Sequence, residues 1–125
     1  MDDLAALLHR MADHQVLVRI SRPWAEAAEA HIAANLGRRL TVAGLARAVD
    51  RSASFLTHHF RTAFGLPLHA YISERRLVIA RERILHGDRL KDIAADLGYC
   101  DAFHLSRAFK VRWGMSPTQL RKRSD

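Results

Sequence analysis

Phe60-Arg61-Thr62-Ala63-Phe64-Gly65-Leu66 returns 49 positions later as Phe109-Lys110-Val111-Arg112-Trp113-Gly114-Met115. Aromatic, basic, two spacers, aromatic, glycine and a long apolar residue recur in that order. Upstream, Leu56 matches Leu105 and Thr57 matches Ser106 at the same offset. Further back, Leu45-Ala46 matches Ile93-Ala94 and Val49 matches Leu97, at an offset of 48. One extra residue therefore sits in the second copy, around Gly98-Tyr99-Cys100-Asp101. Two copies make a duplicated unit, not a solenoid.

Each copy reads as helix, tight turn, helix. In the first, Thr41 is placed to cap a helix whose apolar stripe is Val42, Leu45, Ala46 and Val49, the spacing of one helical face. The stripe stops at Asp50-Arg51, Ser52 caps a second helix carrying Phe55, Leu56, Phe60 and Phe64, and Gly65 supplies a left-handed stop. In the second, Ile93, Ala94 and Leu97 precede Gly98; Asp101 then caps a helix with Leu105, Ala108, Phe109 and Trp113 inside and Gly114 at its end. The small Ala46 and Ala94 fit the close crossing of a helix-turn-helix.

Between the copies, residues 67–86 carry one long helical pattern with Tyr71, Ile72, Leu77, Ala80, Ile84 and Leu85 inward. Twenty residues make a rod of roughly 30 Å, against about 34 Å between adjacent major-groove turns of B-DNA. Ser116-Pro117 opens a short terminal helix, with Leu120 as its anchor before the basic tail Arg121-Lys122-Arg123. Residues 24–36 read as another amphipathic helix on Trp24, Ala27, Ala28, His31, Ile32 and Leu36. Leu4, Leu7, Leu8 and Met11 mark a weaker one, and residues 13–23, with Val16-Leu17-Val18, read as a connector. The fold expected is all-α: two helix-turn-helix subdomains, each a homeodomain-like three-helix unit, joined by a long linker helix. The expected boundaries are an N-terminal extension over 1–22, subdomains over 23–66 and 88–125, and the linker over 67–87.

Of the 125 residues, 20 are Lys or Arg and 13 Asp or Glu, a formal charge of +7. The excess lies after residue 35, where the balance is +9, against −2 before it. A basic segment of this kind suits a polyanion, nucleic acid above all, although a merely solvated surface has the same composition. Seventeen of the basic residues are Arg, whose planar donor fork fits phosphate and guanine edges. The single Cys100 excludes an internal disulfide and a multi-cysteine zinc site, and its place in the turn predicts a small buried side chain. No apolar run approaches the roughly 20 residues of a membrane span, and no signal peptide is visible at Met1. These features predict a soluble, cytoplasmic protein.

Ile93-Ala94 to Gly98-Tyr99, then Phe103-His104-Leu105-Ser106-Arg107-Ala108-Phe109-Lys110, then Gly114-Met115-Ser116-Pro117, resemble the signature of the AraC/XylS transcription regulators. Tyr71-Ile72, Arg76-Leu77 and Ala80 resemble the family's linker helix, so the likeness runs from about Pro23 to Arg121. It implies insertion of two recognition helices into adjacent major-groove turns of double-stranded promoter DNA and control of transcription, activation included, with RNA polymerase as a partner. The family often places Arg where this chain has His58 and Ser where it has Pro67, which makes the first recognition helix the weaker reader. Many members join this domain to an N-terminal sensor and dimerisation domain. The apolar N-terminal segment reads as the tail of such a domain, to which dimerisation and any small-molecule effector would then belong.

The residues expected to touch DNA are Ala53, Ser54, Thr57, His58 and Arg61 in the first recognition helix, and Ala102, Phe103, His104, Ser106, Arg107, Lys110 and Arg112 in the second. Arg107 is the best candidate for a bidentate base contact, while Arg61, Lys110 and Arg112 suit phosphate. Phe103 fits either a thymine methyl or the core. Thr41 and Lys91, near the starts of the supporting helices, are further candidates for the DNA backbone. His58 and His59, adjacent on a helix, are expected to point apart, and no histidine pair stands beside a carboxylate, so neither a metal site nor a cofactor is expected. No nucleophile with its base, phosphate loop or carboxylate pair is visible, so the chain is read as a regulator and not an enzyme. A DNA-processing enzyme would need a reactive-cysteine or metal-bearing region. A purely protein-binding helical module would leave the recognition-helix pattern without a purpose.

Overall fold

A computed structural model describes residues 22–124. Its described residues form seven helices and no strand: α1 (Pro23–Ala34), α2 (Val42–Val49), α3 (Ala53–Phe64), α4 (Leu68–His86), α5 (Leu90–Asp96), α6 (Ala102–Trp113) and α7 (Pro117–Ser124). The expected helix on Leu4, Leu7, Leu8 and Met11 and the connector lie outside the described residues. No described helix is long and apolar enough to cross a membrane.

The described chain falls into two compact units, residues 22–33 with 41–67, and residues 34–40 with 68–124. The long helix α4 therefore packs within the second unit, on α5, α6 and α7.

In the first unit, α2 packs on α3. Leu45, Ala46, Val49, Leu56 and Phe60 are buried with Trp24, Ala25, Ala28 and Ile32 of α1. Trp24 meets Phe55 edge-on with ring centres 5.3 Å apart, and Phe60 stacks on Phe64 at 4.2 Å. Burying a side chain such as Phe60 contributes about 1.5–3 kcal/mol. Three expected inward positions differ. Ala27 is exposed and Ala25 buried in its stead, His31 is half-buried, and Val42, in the first turn of α2, is 37% exposed.

In the second unit the core is Ile72, Leu77, Ala80, Ile84, Ile93, Ala94, Leu97, Leu105, Phe109 and Leu120, with Leu36 from the segment 34–40. Leu85 was expected inside but is 45% exposed, because it stands about 100° round the helix from the wholly buried Ile84. Arg76 ties the 34–40 segment to α4: its Nε donates to the Leu36 carbonyl at 2.9 Å and its Nη2 to that of Arg38 at 3.0 Å. Gly37 passes so close to the Asp96 backbone that a Cβ would collide with it.

Arg121, expected in a basic tail, turns inward. It donates to the Ile84 and Asp88 carbonyls and closes the C-terminal end of α4. Arg83 adds ion pairs to Asp88 at 2.7 Å and Asp96 at 2.8 Å. The hydrogen bond to Arg83 holds the Asp88 carboxyl below its ordinary value, and the same bonds raise Arg83. α7 opens on a reciprocal cap, with the Gln119 amide donating to Ser116 Oγ and the Ser116 amide to Gln119 Oε1.

Candidate nucleic-acid interface

Caps on both recognition helices come from the residues their local sequences suggest. The Phe55 amide donates to Ser52 Oγ at 3.0 Å, and the His104 amide to Asp101 Oδ1 at 2.8 Å. Gly65 and Gly114 close them at φ +84° and +78°. The supporting helix α2 is capped in the same way, the Gly44 amide donating to Thr41 Oγ1.

The two turns show where the surplus residue lies. The Arg51 amide reaches back to the Ala46 carbonyl at 3.0 Å, and the Tyr99 amide to the Ala94 carbonyl at 2.9 Å. Left-handed Asp50 and Gly98 precede them. From those matched points the helix cap follows at Ser52 in one copy and at Asp101 in the other, so the extra residue is Cys100. It is exposed, contrary to the expected buried thiol, because it loops out of a turn whose other positions are fixed by the helices on either side.

On α3, Leu56 and Phe60 face the core while Ala53, Ser54, Thr57, His58 and Arg61 are all exposed. Thr57 Oγ1 donates to the Ala53 carbonyl at 3.0 Å, which leaves its lone pairs and methyl for a partner. His58 and His59 do not point apart. Their rings meet edge-on at 5.0 Å, and His59 lies against Phe55 at 4.3 Å. The aromatic surface of Phe55 thus draws the second ring back along the helix toward the first.

On α6, Leu105 and Phe109 are wholly buried, and the opposite side presents Phe103, His104, Arg107, Lys110 and Val111. Ala102 and Ser106 are half-buried at the edge of that face. Among the described residues, Arg61, Arg107 and Lys110 hold no ion-pair partner. Arg112 does. Its Nε donates to Glu74 Oε2 at 2.6 Å, its guanidinium lies 4.0 Å from the Trp113 ring centre, and the Glu74 bond raises its pKa. His104 accepts the Cys100 amide on Nδ1 at 3.4 Å and abuts Tyr99.

Phe103 is 79% exposed, so of its two expected places the core is the wrong one. Val111, only a spacer in the sequence repeat, is 89% exposed. Its position four residues after Arg107 puts it on the same stripe. The outward faces of the two helices thus carry different chemistry at matched positions, Ser54, His58 and Thr62 against Phe103, Arg107 and Val111.

Residues 45–123 match the family model described as a helix-turn-helix domain. The chain belongs to the AraC/XylS family of transcription regulators. Among AraC/XylS relatives, the regulatory protein SoxS of Escherichia coli (strain K12) is 32% identical over 90 residues, which cover 71% of this chain and 84% of SoxS. Other curated relatives are longer, and the chain spans about a quarter to a third of their length. The fold is shared with an AraC-type transcriptional regulator from Chromobacterium violaceum (TM-score 0.75, 23% identity, 83% of this chain and 94% of that one). It is also shared with the DNA-binding domain of AdpA, a global transcriptional factor whose crystal structure holds its target DNA (TM-score 0.72, 22% identity, 81% and 91%).

One further concave region belongs to the second unit of this AraC/XylS chain. It is a cavity of about 400 Å³ whose lining includes Arg38, Arg39, His69, Ser73 and Arg76 and no carboxylate. Its chemistry suits an anion, though two of the Arg76 donors are already spent on backbone carbonyls.

Proposed function

We propose that this chain regulates transcription in the cytoplasm by laying α3 and α6 in successive major-groove segments of double-stranded promoter DNA. Ala53, Ser54, Thr57, His58 and Arg61 on one helix, and Ala102, Phe103, His104, Ser106, Arg107 and Lys110 on the other, face the bases and phosphates. The observation that carries the reading is α6: its inner face is wholly committed to the core, while Arg107 and Lys110 stand outward and unpaired. Cations left unpaired on a helix that closes a helix-turn-helix are what a polyanionic groove requires. Arg107 reads a base edge, and Arg61 and Lys110 hold phosphate. Arg112, bound to Glu74, supports α6 from behind and adds little direct contact. Activation, with RNA polymerase as the partner, is the sign of regulation we favour.

Selection from random duplex DNA near physiological salt tests this reading. Because the helices are tandem and unlike, a single chain enriches an asymmetric motif of about 17–20 base pairs in two parts. Enrichment of a short palindrome bound only by dimers, or of no motif at all, defeats the tandem-reader mechanism.

A further inference from the structure

Phe103 stands in the first turn of α6, directly after the Asp101 cap, with 79% of its surface in solvent. No ring of the described residues stacks on it, and the neighbouring His104 ring is turned to Tyr99 instead. The core beneath it is already filled by Leu105 and Phe109, both wholly buried. A phenyl group here forfeits its burial in the free protein, and it does so on the one face that also carries Arg107 and Lys110. The matched residue of the first unit is Ser54, a small hydroxyl. At this position one recognition helix carries a small hydroxyl and the other a phenyl ring.

We propose that Phe103 makes the second unit a reader of the C5-methyl group of a major-groove pyrimidine, thymine or 5-methylcytosine, beside the guanine taken by Arg107. The proposal rests on the DNA-binding reading above and deepens it. The C5-methyl is the one apolar feature of the major-groove edge, and a solvated phenyl gains burial only by covering it. Four residues along α6 separate Phe103 from Arg107, a rise of about 6 Å. At about 3.4 Å per base step, the methyl lies within two base pairs of that guanine. The adjacent cations draw the phosphates, so the phenyl approaches its pyrimidine without meeting an uncompensated charge.

The test uses the full chain and the duplex obtained by selection. Each thymine in the part read by α6 is replaced in turn by deoxyuridine, which deletes only the methyl, and Kd is measured for the wild type, Phe103→Ala and Phe103→Ser. Burial of one methyl converts to about fourfold in affinity. The wild type is expected to lose about fourfold at one thymine near the Arg107 guanine, while both variants bind the two duplexes equally. With a cytosine at that position, 5-methylation restores about fourfold for the wild type alone. Both substitutions lie on an exposed side chain, and equal melting temperatures verify that they leave the fold intact. Equal binding of thymine and uracil duplexes by the wild type, or discrimination surviving in Phe103→Ala, overturns the assignment while leaving DNA reading in place. So does a Phe103→Ala variant that binds every duplex as the wild type does yet loses promoter activation, which would make the phenyl a protein contact. A wild type with no sequence preference at all ends both readings.

Discussion

Arg112 and Glu74, 38 positions apart, meet side by side: Arg112 Nε is 2.6 Å from one carboxylate oxygen and 2.9 Å from the other. The pair joins the recognition helix α6 to α4, with Arg112 three residues after the buried Phe109 and so on the flank of α6 away from Arg107. Arg112→Ala is expected to lower the melting temperature slightly and leave the salt dependence of DNA affinity almost unchanged. A fall of about one in the slope of log affinity against log salt would instead make Arg112 a phosphate ligand.

Arg107 and Lys110 should behave differently from Arg112 and from each other. Arg107→Ala relaxes preference at one or two base pairs by about 1–3 kcal/mol and leaves the fold alone, since the side chain is exposed. Lys110→Ala weakens binding to all sequences about equally and lowers the salt slope by about one. Titrations of matched and single-mismatch duplexes at several salt concentrations separate the two. A uniform loss with Arg107→Ala would move that residue to the phosphates.

Acid stability should reveal the Arg83–Asp88 pair. The hydrogen bond from Arg83 lowers the Asp88 carboxyl from its ordinary 3.8. A carboxylate depressed in the folded state adds stability above its unfolded value and loses it as pH falls through the folded one. Asp88→Asn is therefore less stable than the wild type near neutrality, and the two converge in strong acid. Urea midpoints across the acid range check this; a gap that stays constant with pH would show that the ionised pair contributes nothing.

Gly37→Ala places a methyl against the Asp96 backbone, which cannot yield as a flexible side chain would. A loss of about 1–3 kcal/mol is expected, or roughly 4–8 °C in melting temperature per kcal/mol. An unchanged melt would mean that the 34–40 segment does not pack on α5.

Asp101→Ala removes the acceptor for the His104 amide and should cost about 1 kcal/mol, most of it recovered by Asp101→Ser. Thermal melts of the two variants test it. Equal losses would show that the carboxylate acts through charge and not as a cap.

What the sequence determined about this protein is local. Thr41, Ser52, Asp101 and Ser116 accept amides three residues ahead, Gly65, Gly98 and Gly114 adopt the left-handed stops, and the buried stripe of each helix-turn-helix follows helical period. Bonds that span three or four residues are written in the residues they span, and duplication repeats the caps of the two recognition helices, though Arg89, the counterpart of Thr41, makes no side-chain cap. Only the tertiary structure decided the rest. Arg112 finds Glu74 on α4, and Arg121, in a stretch that reads as a basic tail, finds the carbonyls at the end of α4. Leu36 and Arg76 joined across 40 positions. Cys100 left the interior once the flanking bonds fixed every other residue of its turn, and Phe103 lost its choice of the core when Leu105 and Phe109 filled it. Each of these outcomes is set by which group the fold brings to an unsatisfied charge, carbonyl or apolar space. Periodicity within one helix carries no record of that neighbour.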